Sequence, residues 1–153
     1  PDQRLADAWI MVRSAALNAD ALLAAMDAGD YYASTGVLLD DVAFDPSSRT
    51  LRVSVQPAPG TTYRIRFITT RRGFDTGVRS VHCPAVKGRG ARTLPVYSDD
   101  IGSTAKLVEG TEASYRMAAD DLYVRAKIES SVPSGYTRHF HPDVQVAWTQ
   151  PWR

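Results

Sequence analysis

The sequence predicts a mainly β protein: an antiparallel β-sandwich preceded by one strand–helix unit. Three observations carry this prediction. Apolar and polar residues alternate with a period of two in several stretches after residue 31, turn-forming segments separate these stretches, and a run without alternation followed by an amphipathic helix precedes them. A chain of 153 residues is long enough to bury one core of its own.

The first element is the apolar run at residues 8–12, which reads Ala-Trp-Ile-Met-Val. It lacks the alternation of a strand with one wet face. An uninterrupted run of this kind is typical of a strand covered on both faces, as in a parallel sheet. We therefore expect this strand to belong with parallel neighbours.

A helix follows the first strand. Asn18 is a good N-cap, Leu17 and Leu22 are spaced for a hydrophobic staple, and we expect the helix to end near Ala28 because Gly29 suits a left-handed C′ position. The predicted apolar stripe consists of Leu22, Leu23 and Met26.

From residue 31 onward the period is two. The inward positions of three such strands are predicted to be Leu51, Val53 and Val55; Tyr63, Ile65 and Phe67; and Leu122, Val124, Ala126 and Ile128. Turn signals lie at residues 45–48, 57–60, 99–102 and 132–135. Residues 71–106 carry scattered glycines and Pro95 between weak apolar pairs, so we expect long loops there with one or two short strands.

Composition excludes several classes of protein. The net charge is +1, from 18 basic and 17 acidic side chains, so no bulk field favours nucleic acid or anionic lipid, and we expect neither nucleic acid nor membrane as a partner. Cys83 is the only cysteine, which excludes an internal disulfide and a zinc site built from cysteine pairs. No apolar run approaches the length of a membrane span, and the chain opens with Pro1 and no signal-peptide pattern, so we expect a missing segment upstream.

The first strand and the later strands predict two different kinds of sheet. A doubly covered strand with one helix needs parallel partners, which the antiparallel pattern of the later strands does not offer. We therefore divide the chain into residues 1–30, the last strand and helix of another domain, and residues 31–153, a β-sandwich.

Short segments at both ends resemble a known family. Residues 9–13 (WIMVR), 22–29 (LLAAMDAG) and 31–36 (YYASTG) resemble the region after the last metal-binding motif of PHP (polymerase and histidinol phosphatase) metallohydrolases. Residues 123–127 (YVRAK) and 147–151 (AWTQP) resemble the closing strands of these proteins, including the carbaryl-hydrolase-like branch. Residues 71–106 show no such resemblance to a known family.

The resemblance implies a parent enzyme with a distorted (β/α) barrel. Such a barrel holds two or three divalent metals (Zn, Mn or Fe) through His, Asp and Glu, and hydrolyses phosphoesters by activating a bridging water. The family's metal ligands lie upstream of this sequence, so we assign no catalytic, cofactor-binding or metal-binding residue and no cofactor to this chain. We expect a non-catalytic C-terminal accessory domain whose partner is the upstream barrel and which shapes the active-site mouth. The alternative is a free-standing ligand- or carbohydrate-binding β-sandwich.

One sequence motif could still bind metal. His139 and His141 in an HxH pattern would face the same side of a strand, and Asp143, His82 and Cys83 could complete a site. The motif lies in a proline-containing connection, so an exposed loop is the favoured interpretation. The third hypothesis is an independent metal enzyme that uses His82, His139, His141 and Asp143.

Other candidate residues have simpler structural explanations. Ser34 and Thr35 could position a substrate at a barrel mouth, but they lack an adjacent base, and we favour hydroxyls that bond the backbone beside a bend at Gly36. The segment 88–90 is too short for a phosphate loop. Trp148 and Trp152 are interpreted as core or edge aromatics, with sugar stacking as the alternative. A basic patch on strand faces, or an ordinary solvated surface, is predicted for Arg52, Arg64, Arg66, Arg125 and Lys127.

Overall fold

The computed structural model describes residues 8–86, 90–134 and 143–153, and these form a mainly β protein. The elements are β1 (Trp9–Val12), α1 (Ala19–Asp27), β2 (Tyr31–Ser34), β3 (Leu39–Asp45), β4 (Thr50–Val55), β5 (Tyr63–Thr69), β6 (Val78–Cys83), β7 (Arg92–Tyr97), β8 (Ser103–Glu109), β9 (Glu112–Arg116), β10 (Arg125–Pro133) and β11 (Val144–Thr149). The predicted fold class is confirmed.

The strands form two sheets and a ribbon. The six-stranded sheet has the order β1-β2-β11-β10-β5-β8, the three-stranded sheet has the order β3-β4-β9, and β6 and β7 pair as a separate two-stranded ribbon. Every pairing between these strands is antiparallel. Side chains of the two larger sheets share one buried cluster, which makes the architecture a β-sandwich.

The period-two alternation predicted the core. The predicted inward residues of β4 and β5 are buried, and so are Val124, Ala126 and Ile128 before and within β10. Across the sandwich, the ring of Phe67 stacks on that of Tyr115 with centroids 5.7 Å apart. The alternation is therefore explained by one side of each strand facing the opposite sheet.

The start and end of the helix are as predicted. The side chain of Asn18 accepts a hydrogen bond from the Ala21 N–H at 2.9 Å, and Gly29 has a left-handed φ of 79° directly after the helix C-cap. The staple is wrong, because Leu17 is 94% exposed. The predicted stripe is also wrong in part, since Leu23 and Met26 are exposed and the buried residue is Ala25.

The parallel pairing expected for the first strand does not occur. β1 pairs antiparallel with β2 and forms one edge of the six-stranded sheet, and the Arg13 N–H continues the pairing with a 2.8 Å bond to the Asp30 carbonyl. An uninterrupted apolar run identifies a strand but does not determine the direction of its partner. The division after residue 30 stays a prediction, and β1 and β2 lie side by side across it.

The region 71–106 contains more strand than predicted. β6 and β7 pair with each other, and β8 joins the six-stranded sheet beside β5. The sequence signal is weak there because the ribbon residues are almost all exposed, so no alternation between buried and exposed side chains is imposed on them. Within the described residues, no helix has the length and hydropathy that crossing a bilayer requires.

Candidate functional site

The hydroxyls of Ser34 and Thr35 bond the backbone, as the structural interpretation predicted. Buried Ser34 donates to the Val37 carbonyl at 2.6 Å and accepts from the Gly36 N–H at 3.0 Å. The Thr35 hydroxyl accepts from the Val146 N–H of β11 at 2.9 Å. Both hydroxyls thus connect β2 to neighbouring backbone, and within the described residues neither is hydrogen-bonded to a side chain that could act as a base.

The predicted metal ligands are not brought together in the described part of the chain. His139 and His141 lie outside the described residues. Asp143 is exposed just before β11, while His82 and Cys83 are neighbours on β6 and therefore point to opposite faces of the ribbon. Within the described residues, no three His, Cys, Asp or Glu side chains are grouped as metal ligands.

Most of the predicted basic residues share a surface. Arg64 and Arg66 on β5 and Arg125 and Lys127 on β10 lie on the outward face of the six-stranded sheet, whereas Arg52 lies on β4 of the other sheet. Glu129 stands among them, with its carboxylate 2.7 Å from Lys127 Nζ and 3.6 Å from a guanidinium nitrogen of each β5 arginine. The patch is therefore partly neutralised.

The local environment sets the charge of Glu129. Partial burial raises the pKa of this carboxyl, but the hydrogen bond and charge of Lys127, with the charges of Arg66 and Arg64, outweigh it and lower the pKa from its ordinary value of 4.5. The Glu129 carboxylate therefore stays ionised at neutral pH. Together with Lys127, Arg64 and Arg66 it forms a surface ion-pair network.

Trp148 is already engaged by this network. The Arg125 guanidinium carbon and Lys127 Nζ each lie 5.0 Å from its ring centroid, which is a cation–π geometry. A sugar stacking on this ring would compete with both cations. Trp152 lies elsewhere, in an antiparallel bridge to Val124, with its ring 6.2 Å from that of Phe44.

A cavity of about 190 Å³ lies beside β1, and sequence reasoning missed it. Its rim carries Arg13 and Asp41, whose charged groups approach to 2.7 Å. Inside it, the Tyr32 hydroxyl accepts a hydrogen bond from the Leu39 N–H at 3.0 Å. The lining residues are Met11, Val12, Arg13, Gly29, Asp30, Tyr31, Tyr32, Leu39, Asp40, Asp41, Val42 and Trp152. They come from separate chain segments, so no local motif could have predicted the cavity.

Exposed apolar side chains lie on the chain segment from β1 to α1, next to this cavity, and we call them the β1–α1 edge. Ile10 and Met11 on β1 are each 43% exposed. The β1–α1 edge consists of Ile10, Met11, Leu17, Leu23 and Met26, and its two strand residues, as neighbours on β1, point to opposite faces of the sheet. Solvent-exposed apolar side chains grouped on one segment are typical of a contact surface. Among the described residues, β1 ends the six-stranded sheet, so one edge of this strand has no described strand paired with it.

Comparison with known proteins found no relative of this chain. No family model matches the chain, and neither a curated protein nor a solved structure matches it.

Proposed function

We propose that this chain is a non-catalytic accessory domain of a PHP-like metal-dependent hydrolase and that it packs on the catalytic barrel through the β1–α1 edge. The observation that carries the proposal is the exposure of the apolar residues of this edge. The residues that resemble the family include this same strand and helix.

The energetics favour a covered edge. Burying the exposed part of a side chain such as Met11 or Leu23 would stabilise an assembly by about 1 kcal/mol. The outer edge of β1, which no described strand pairs with, adds backbone groups that a strand of the barrel could pair with. Under this proposal the barrel supplies the metals (Zn, Mn or Fe) and the chemistry, and this domain supports its mouth.

The proposal is tested on the full-length product of the gene that encodes this chain. We expect metal-dependent hydrolysis of a phosphodiester such as bis(p-nitrophenyl) phosphate, and a loss of stability or activity when residues 37–153 are deleted. A gene product without an upstream barrel would overturn the proposal, and so would a deletion that leaves both properties unchanged.

A matched pair of variants locates the contact. Leu23→Glu with Met26→Glu should lower the Tm of the full-length protein by roughly 2–4 °C per side chain, because each loses about 1 kcal/mol of burial. The same changes should leave the isolated chain unaltered, since both side chains are exposed there. Leu107→Glu is the control, because Leu107 is also exposed but lies on β8 at the opposite edge of the sheet. Equal shifts for the two edges would contradict the assigned surface.

The second candidate function is ligand binding in the cavity beside β1. The combination of Tyr31, Tyr32 and Trp152 with carboxylates at the rim is suited to a monosaccharide, whose ring stacks on aromatics while its hydroxyls donate to carboxylates. Calorimetric titration with glucose, galactose and mannose tests this candidate. Saturable heat that disappears in Trp152→Ala, in a variant that keeps its fold, would support it over the accessory role; no heat with any sugar would exclude it.

A further inference from the structure

The ribbon of β6 and β7 has one face with a defined pattern. Residues that lie opposite each other on paired strands point to the same side. Val81 lies opposite Leu94, Arg79 opposite Val96, and Cys83 opposite Arg92. We call the surface formed by Arg79, Val81, Cys83, Arg92, Leu94 and Val96 the ribbon face.

The ribbon is held at its base, and in the described part of the chain most of its residues are exposed. The Asp75 N–H donates to the Asp100 carboxylate at 3.3 Å, and Asp75 in turn accepts from the Gly77 N–H at 2.8 Å. Beyond this base, the ribbon forms its own sheet, and both Val81 and Leu94 are exposed. A two-stranded ribbon is only marginally stable in water without something packed on it. An occupant of the ribbon face would therefore contribute to its order.

Charge on this surface has one sign. Residues 76–98 include no Asp or Glu, although the whole chain is nearly neutral. Arg79 and Arg92 lie at the two ends of the ribbon face, four residues apart along the strands, which is roughly 13 Å. In the described part of the chain neither guanidinium forms an ion pair with a carboxylate.

These features favour one class of occupant. An apolar centre between two cations matches an extended peptide with an apolar residue midway between two carboxylates at positions i and i+4, which are also about 13 Å apart. A second copy of the same face would bring arginines against arginines if the contact were symmetric. A nucleic-acid backbone would offer phosphates to the arginines but nothing apolar to cover Val81 and Leu94.

We propose that the ribbon face is a docking surface for an acidic, amphipathic protein segment in extended conformation. Arg79 and Arg92 bind the two carboxylates, and Val81, Leu94 and Val96 contact the apolar residue between them. This surface is separate from the β1–α1 edge, so the inference does not depend on the barrel proposed above.

The test uses the whole chain and a fluorescein-labelled peptide with the repeating order glutamate, threonine, leucine, threonine, glutamate. We expect saturable fluorescence anisotropy that weakens with salt. Reversing charge in Arg79→Glu with Arg92→Glu should weaken binding roughly tenfold or more, and Val81→Ser with Leu94→Ser should weaken it without changing the salt dependence.

The matched control is Arg52→Glu with Arg116→Glu, which reverses two exposed arginines on β4 and β9 of the three-stranded sheet. Equal loss of affinity in this control would show that only overall charge matters and would overturn the proposal. Failure of the peptide to bind would do the same. Tighter binding of a labelled 20-base-pair DNA duplex than of the peptide would also overturn the proposal if Arg79→Glu with Arg92→Glu weakens the binding of the duplex. The occupant would then be nucleic acid.

Discussion

The sandwich core and the ribbon face are both made of antiparallel strands with branched apolar side chains, yet water reaches only one of them. Ile65 and Phe67 are fully covered by the opposite sheet, whereas Val81 and Leu94 are exposed. Strand pairing is thus not sufficient to define a core, because a second layer must cover the apolar side. The covered region determines the fold, and the uncovered regions are where a function based on contact would lie.

The largest expected effect separates these two regions directly. Phe67→Ala should lower the free energy of unfolding by about 3–5 kcal/mol, because it leaves a cavity beside Tyr115 in the middle of the sandwich. Leu94→Ala on the ribbon should change it by less than about 0.5 kcal/mol. Urea denaturation of both variants measures the difference. Similar losses at the two positions would mean that the ribbon is covered in solution.

A buried carboxylate gives the next largest effect. Asp121 accepts hydrogen bonds from the Tyr115 hydroxyl and the Ala118 N–H, both at 2.7 Å, and its other oxygen lies 3.6 Å from Arg71 Nε. Asp121→Ala should cost about 2–3 kcal/mol of unfolding free energy, since it leaves the hydroxyl and the amide without this acceptor. The neighbouring exposed Asp120→Ala is the control, expected within about 0.5 kcal/mol. Equal costs would contradict a structural role for the buried carboxylate.

The sequence predicted those features of the fold that depend on neighbouring residues, and it missed most of those that depend on contacts between separate segments. The alternation in β4 and β5 predicted the strands and their buried side, and Asn18 and Gly29 marked the ends of α1, because these signals depend on residues a few positions apart. The direction of β1 and the cavity beside Tyr32 depend on contacts between separate segments of the chain. For the same reason, the engagement of Trp148 by Arg125 and Lys127 required the register of β10 and β11. The pairing of β6 with β7 gave little signal for another reason, because the ribbon residues are almost all exposed.

The N-terminus of α1 allows a smaller test of the contrast between a side chain that makes a contact and one that is exposed. Asn18→Ala should lower the unfolding free energy by about 1 kcal/mol, because the Ala21 N–H loses its side-chain acceptor. Leu17→Ala should have almost no effect, because this side chain is exposed and makes no staple. Thermal unfolding followed by circular dichroism measures both. A marked loss for Leu17→Ala would show that the staple forms in solution after all.

The smallest effect concerns the charged outer face of the six-stranded sheet. The pKa of Glu129 is lowered in the folded protein, so its ionised form is stabilised by folding. This contribution is fully present above the ordinary pKa of 4.5 and is lost as pH falls through the lowered pKa. Glu129→Gln should therefore cost about 0.5–1 kcal/mol at pH 7.

The pH dependence distinguishes a charge effect from a packing effect. Since glutamine has no carboxyl proton to bind, the difference between wild type and Glu129→Gln should shrink below pH 4.5 and vanish below the lowered pKa. Urea denaturation from pH 7 to pH 3 measures this difference. Glu112→Gln on β9 is the matched control, because Glu112 is exposed and forms no ion pair in the described part of the chain. A difference for Glu129→Gln that stays constant with pH would mean that Glu129 acts through its contacts with Lys127 and its neighbours and not through its charge.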